Sequence, residues 1–232
     1  MSNNVKLLFT HPVLPPYTFT ADSHIINTMH PVTSRIYLAS ASPRRRELLK
    51  QINVSFETLL LRTRPERCDV DETPRPGEDP AAYVVRLAQA KAEAGERARD
   101  MRRLPKHPVL AADTTVTFDG HILGKPENAH AAEAMLMSLS GRTHTVHTAI
   151  ALSLDGRREY RLCSSTVSFK GLTTEEVRRY VHTGEPHDKA GAYAIQGRAA
   201  AFITNLNGSY SGVMGLPLFE TAELLQLFQV PL

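Results

Sequence analysis

Leu38-Ala39-Ser40-Ala41-Ser42-Pro43-Arg44-Arg45-Arg46-Glu47-Leu48-Leu49 is the stretch whose reading decides the fold. The apolar run Ile36-Tyr37-Leu38-Ala39 ends in small residues, and Ser42-Pro43 has the chemistry of an N-cap and first helical turn. A strand therefore feeds a tight turn and a helix. That helix opens with Arg44, Arg45 and Arg46 at the positive end of its macrodipole, where each cation costs about 0.3–1 kcal/mol. Stability alone does not select such a turn. A polyanion held there reverses the sign, because free N–H groups and guanidinium forks both suit phosphate oxygens. An oligophosphate site is the expectation, against the ordinary alternative of a solvated basic turn.

Composition sets the limits. At 232 residues the chain can bury one substantial core, or two lobes sharing a sheet. No stretch approaches the ~18 uninterrupted apolar residues of a membrane span. A net charge of +3 does not suggest a general nucleic-acid binder, so no membrane and no specific nucleic acid are expected as partners. Cys68 and Cys163 fit neither a disulfide framework nor a metal spacing; both are expected to be structural thiols in a reducing cytoplasm. Residues 1–34 hold Pro12, Pro15, Pro16 and Pro31 without sustained periodicity and predict a flexible extension before a domain at 35–232. Lys6 is followed by too short an apolar run for a signal peptide, and patterned sequence begins just after Met29, where translation is expected to start.

Along the chain, Val54–Leu61 predicts a strand, followed by a loop carrying Asp69, Asp71 and Glu72. Such clusters are usually solvated, but carboxylates facing the arginine turn suit a hard cation. Asp79-Pro80 starts a long helix towards Arg103, with Val84, Leu87, Ala88 and Lys91 on one stripe. Lys91 either snorkels to the surface or serves phosphate. Val109–Ala112 is a buried-strand pattern delivering Asp113 at its end, where open α/β sheets place ligands. Asp119-Gly120 and Asp155-Gly156 predict hairpin turns. Gly120 to Lys125 lacks the Walker A spacing, and Tyr210 stands where a nucleophile elbow needs serine. Asn128 caps a helix ending at Gly141, its methionines serving as core filler. His144 to Leu154 predicts a strand whose His144 and His147 point to opposite faces, against a shared metal; either suits a hydrogen-bonded surface position. Arg158 to Phe169 follows as its partner strand, and Thr173 with Glu176 forms a capping box for a helix ending at Gly184. A strand from Ala199 to Leu206, a polar turn from Asn207 to Gly212 and a last helix with Leu218, Thr221, Leu225 and Phe228 inward complete the chain.

Six ordered motifs together resemble the Maf family of nucleoside triphosphate pyrophosphatases. They are SASPRRRELL at Ser40–Leu49, AADTTV ending at Val116, GKP at Gly124–Pro126, SGRTHTVHT at Ser140–Thr148, DKAGAYAIQG at Asp188–Gly197 and NGSYSGVMGLPLFET at Asn207–Thr221. The resemblance implies an α/β fold with a mixed central sheet, flanking helices and two lobes around a deep cleft, often as a homodimer. It implies cleavage between the α and β phosphates of a nucleoside triphosphate, with a divalent cation, Mg²⁺ or Mn²⁺. Asp113 is the implied proton acceptor and a metal ligand, and Glu72 is suggested as the second carboxylate at the metal. Arg44, Thr114 and Gln196 place the chain in the branch acting on dTTP and UTP; the sister branch has Gln after the catalytic Asp and Ser-Glu-Gly where this chain has Ile195-Gln196-Gly197. Ser40, Arg45, Lys91, Lys125 and Lys189 complete the substrate-binding set. An amide such as Gln196 offers both a donor and an acceptor to the carbonyl and N–H edge of uracil or thymine. Ala41 departs from the Gly of many members, which matters only if the turn demands positive φ. Two alternatives remain at this point: a non-enzymatic nucleotide or nucleic-acid binding regulator, for example of cell division, and the same chemistry on another base.

Overall fold

The computed structural model describes residues 34–63 and 68–232. The flexibility expected of residues 1–34 and the start expected at Met29 thus fall, Ser34 apart, outside the described residues. β1 (Ile36–Leu38), α1 (Pro43–Gln51) and β2 (Phe56–Thr58) form a parallel crossover. Ser42 Oγ caps α1 by accepting from Arg45 N. Leu48 and Leu49 at its far end are buried, and each burial contributes about 1.5–3 kcal/mol, which outweighs the cost of the arginine turn. β2 is shorter than the expected Val54–Leu61 because β1, its partner at the sheet edge, offers only three residues. Ala41 has no positive φ, so the missing glycine is harmless to the turn.

α2 (Pro80–Met101) is capped by Asp79, whose Oδ1 accepts from Ala81 N and Ala82 N. It packs on β3 (Val109–Phe118), the strand around which the sheet is built. β4 (His121–Leu123) pairs with β3, and β5 (Thr143–Leu154), β6 (Arg157–Phe169) and β7 (Ile203–Asn207) continue the sheet in the order β2-β1-β3-β5-β6-β7. Both Asp-Gly turns form as expected. Asp119 and Gly120 have φ of 48° and 78°, and Asp155 and Gly156 have 50° and 84°, the double left-handed conformation that joins twisted antiparallel strands.

Asp113 is not at a strand end. It lies in the middle of the ten-residue β3, which changes neighbours at that point: β1 pairs in parallel through Tyr37↔Val109 and Leu38↔Leu110, and β4 takes over only at Val116↔Leu123. The ligand-bearing break is therefore a gap along one side of β3 rather than its terminus. Alternation along β3 sends Val109, Ala111 and Asp113 to the α2 face and Leu110, Ala112 and Thr114 to the other. On that other face lie two core clusters. One gathers α1 with α6 (Leu218–Leu227), and one gathers α3 (Ala129–Leu139) with α4 (Thr174–Val181).

Other expectations are corrected. Arg198–Phe202 is a 3₁₀ helix and β7 starts only at Ile203; three successive alanines lack the branched bulk that suits a pleated surface. The supposed polar turn holds the start of a short helix α5 (Tyr210–Met214), capped by Ser209 Oγ, which glycine-rich composition conceals. Met135 packs on the core but Met137 is exposed, and Cys68 is exposed whereas Cys163 is buried. His144 is buried, not on the surface: its Nε2 lies 2.7 Å from the Tyr193 hydroxyl, and its ring meets Phe169 edge-on. In α6 the buried positions are Thr221, Leu224 and Leu225, with Phe228 just beyond and Leu218 only partly covered.

Candidate active site

Close packing of α2 on β3 sets the first half of the site. A side chain at Gly95 would overlap Val109, so only glycine admits this approach, and one turn earlier Lys91 comes level with Asp113. Lys91 Nζ lies 2.6 Å from Asp113 Oδ1 and 2.8 Å from Glu72 Oε1. Its side chain is only 15% exposed, so it does not snorkel to solvent. Of the acidic loop, Glu72 alone joins this group: Asp69 accepts from Arg62 and Asp71 from Thr73 N. The Tyr83 hydroxyl donates to the Glu72 carbonyl at 2.9 Å, and Arg86 binds both Glu78 and the Thr73 carbonyl, tying the loop to α2. Burial, then the charges of Asp113 and Glu72, push the Tyr83 phenol up to about 12. Asp113 itself is 8% exposed.

Thr114 faces the opposite way, towards α1. Arg45 reaches it from the arginine turn, donating through Nη2 to Thr114 Oγ1 at 3.3 Å, through Nη1 to Ser40 Oγ at 3.2 Å and through Nε to the Gly215 carbonyl at 2.8 Å. Thr148, directly opposite Thr114 on β5, lies 2.9 Å from Thr114 Oγ1 and 2.8 Å from the Gly212 carbonyl. Thr148 Oγ1 is the donor in both contacts, so its single proton is shared between the Thr114 hydroxyl oxygen and the Gly212 carbonyl. Thr114 Oγ1 thus accepts from both Arg45 and Thr148. Together the two threonines form a polar seam between the core clusters. Although Asp113 and Thr114 point to opposite faces, the gap beside β3 joins their surroundings electrostatically. Burial, followed by Arg44, lowers the Arg45 pKa, while Asp113 and Glu72 oppose that shift.

The remaining candidates lie further out. Arg44 and Lys189 both act on Asp188: burial raises that carboxyl's pKa, but the Lys189 hydrogen bond and charge, helped by Arg44, leave it below the usual range. Lys189 thus stands on the Arg44 side of the site. Lys125 is exposed, next to Gly124, whose carbonyl accepts from Gly191 N in the Lys189 loop. Gln196 is exposed on a turn closed by Gly197 N to the Ala194 carbonyl, and its side chain touches neither Thr114 nor Arg44 through any described hydrogen bond. Sequence reasoning missed Tyr83 and Thr148. Tyr83 sits beside the α2 stripe, and Thr148 becomes meaningful only once the β3–β5 register pairs it with Thr114.

Comparisons with known proteins identify a family and close relatives of the chain. The family model for Maf-like protein covers residues 35–228. A protein of Aromatoleum aromaticum named dTTP/UTP pyrophosphatase is 59% identical over 88% of this chain and 100% of its own length. Proteins of the same name from Nitrosomonas europaea and Dechloromonas aromatica are 56% and 54% identical, over 84% and 83% of this chain and 95% and 96% of theirs.

Proposed function

The chain belongs to the Maf family, and from that premise we propose that it hydrolyses dTTP and UTP to the nucleoside monophosphate and pyrophosphate, clearing them or modified pyrimidine relatives from the nucleotide pool. The observation that carries the reading is a buried aspartate between two sources of positive charge, Lys91 in contact and Arg45 across the gap. A triphosphate suits this place. Arg45 is held by three neutral oxygens, so its charge is directed rather than neutralised, and Arg44 and Lys189, both acting on Asp188, with Lys125 beside the Lys189 loop, are the further cations proposed to meet the phosphates. Lys91 exchanges carboxylate oxygens for phosphate oxygens as the substrate enters.

In the reaction, Asp113 orients a water and takes its proton while the water oxygen bonds to the α phosphorus. The bond from that phosphorus to the α-β bridging oxygen breaks, and pyrophosphate leaves against the cations. The residues fit a divalent metal: Asp113 and Glu72 both lie within contact distance of one ammonium group, so two carboxylates converge where a single cation can be shared. They are the residues that would hold Mg²⁺ or Mn²⁺, whose chemistry is to neutralise charge on the phosphates. For the base, the Gln196 amide supplies a donor and an acceptor to the edge of uracil or thymine, and the Thr114 hydroxyl, which accepts from Arg45 and Thr148, has a proton left to donate to a base carbonyl. Family likeness further supports a homodimer working in the cytoplasm; no helix among the described residues is long and apolar enough to cross a membrane.

The test is a panel. Purified protein is incubated with Mg²⁺ or Mn²⁺ and each common or modified triphosphate, and pyrophosphate is measured. Release confined to pyrimidines supports the proposal. Binding without release from any nucleotide would return the non-enzymatic regulator, and release from purines alone would change the substrate.

A further inference from the structure

The exposed Gln196 turn has a built anchor that the reaction itself does not use. Glu185 opens the 3₁₀ turn Glu185–Asp188 that leads to Lys189, and its carboxylate reaches back to the Gln196 turn. Oε1 accepts from the buried Tyr180 hydroxyl at 2.9 Å, and Oε2 accepts from Arg198 N at 3.1 Å. The same Tyr180 hydroxyl accepts from Ala194 N at 3.3 Å. One carboxylate and one phenol therefore grip both sides of the turn, at residues 194 and 198, with Gln196 midway. Gly197 completes the fit. Its φ of −100° is open to any residue, so it is not glycine for conformational reasons; a Cβ there would overlap the Glu185 carboxylate. The two acceptor oxygens meet neutral donors, which fix direction without the looseness of an exposed ion pair.

We infer that Glu185, through Tyr180 and the glycine-sized gap at Gly197, is a positioning residue for base discrimination: it holds the Gln196 amide at the height and angle from which a pyrimidine edge is read. This rests on the assignment of Gln196 as a base reader. A hydrogen-bonding group that is displaced loses selectivity first, because the right base then gains little over the wrong one.

The experiment compares kcat/KM for UTP and for GTP in Gln196→Ala, Glu185→Ala, Glu185→Gln and Gly197→Ala, with thermal melts alongside. A merely structural loss reduces the folded fraction and lowers both substrates equally, so the UTP/GTP ratio is blind to it. Gln196→Ala is expected to lower that ratio by about tenfold, with Glu185→Ala and Gly197→Ala following it. Glu185→Gln, which keeps one acceptor, falls between. Should Glu185→Ala fail to fold, Glu185→Gln and Gly197→Ala carry the comparison. If Gln196→Ala lowers the ratio while the folded Glu185 and Gly197 variants leave it at the wild-type value, the anchor is refuted and base reading stands. If Gln196→Ala leaves the ratio unchanged, base reading by Gln196 is refuted and the anchor has nothing to position.

Discussion

Arg99 and Arg45 solve the same problem in opposite ways. Arg99, near the end of α2, is 1% exposed and surrounded by anions: Asp100 at 2.9 Å, Asp155 at 3.3 Å and Glu96 at 3.7 Å, with the His107 carbonyl at 3.0 Å. Arg45, in the first turn of α1, is gripped by a carbonyl and two hydroxyls, and every atom in direct contact with its guanidinium is uncharged. The first is a cation whose charge has been used up by the fold. The second is held by three neutral partners, so no contacting carboxylate cancels its charge, the state that the proposed triphosphate site requires. His144 shows a third solution, in which a buried base simply stays neutral; burial pushes its pKa down to about 4.

This comparison can be broken, starting from the largest effect. Arg99→Met should lower stability by about 3–5 kcal/mol, since it strands carboxylates in and around a buried network, yet leave the turnover of folded molecules intact. Denaturant melts and activity normalised to folded protein measure both. His144 should make stability fall as pH drops from 6.5 towards about 4. Over that window the unfolded chain takes up the proton and the folded one does not, a difference of about 3 kcal/mol when complete. His144→Gln should flatten that slope, and an unchanged pH dependence of Tm would exclude the imidazole as its source. Asp113→Asn should cut pyrophosphate release by roughly 10² or more with little change in melting temperature. Near-normal turnover would remove Asp113 from the chemistry. Arg45→Met should raise KM about tenfold while costing less stability than Arg99→Met, because it leaves no contacting carboxylate unpaired. Equal destabilisation by the two methionines would erase the distinction.

Much of this was legible in the sequence, and the exceptions share a cause. Ser42-Pro43, Asp79-Pro80, Asn128 and the Thr173–Glu176 box mark helix starts because a cap is satisfied within three residues of itself. The Asp-Gly hairpins are local in the same way. Asp113 was visible as a carboxylate after a buried run, but its position beside a mid-strand gap depends on where β1 stops and β4 begins. Thr148 needs the β5 register, and the three partners of Arg45 come from three separate parts of the chain. The Gln196 anchor is likewise nonlocal, for Glu185 meets Arg198 N, thirteen positions further along the chain.

The bond from Arg45 Nε to the Gly215 carbonyl spans 170 positions of chain. On a ribosome the arginine emerges early and waits for most of the protein to be made before its last support exists. The long β5–β6 hairpin, closed by a two-residue turn, can pair in microseconds once synthesised, whereas the surroundings of Arg45, the proposed phosphate cradle, need residue 215 before they close. Nascent chains stopped short of residue 215 thus lack the grip that aims the guanidinium, and the appearance of nucleotide binding becomes a readout of completed synthesis.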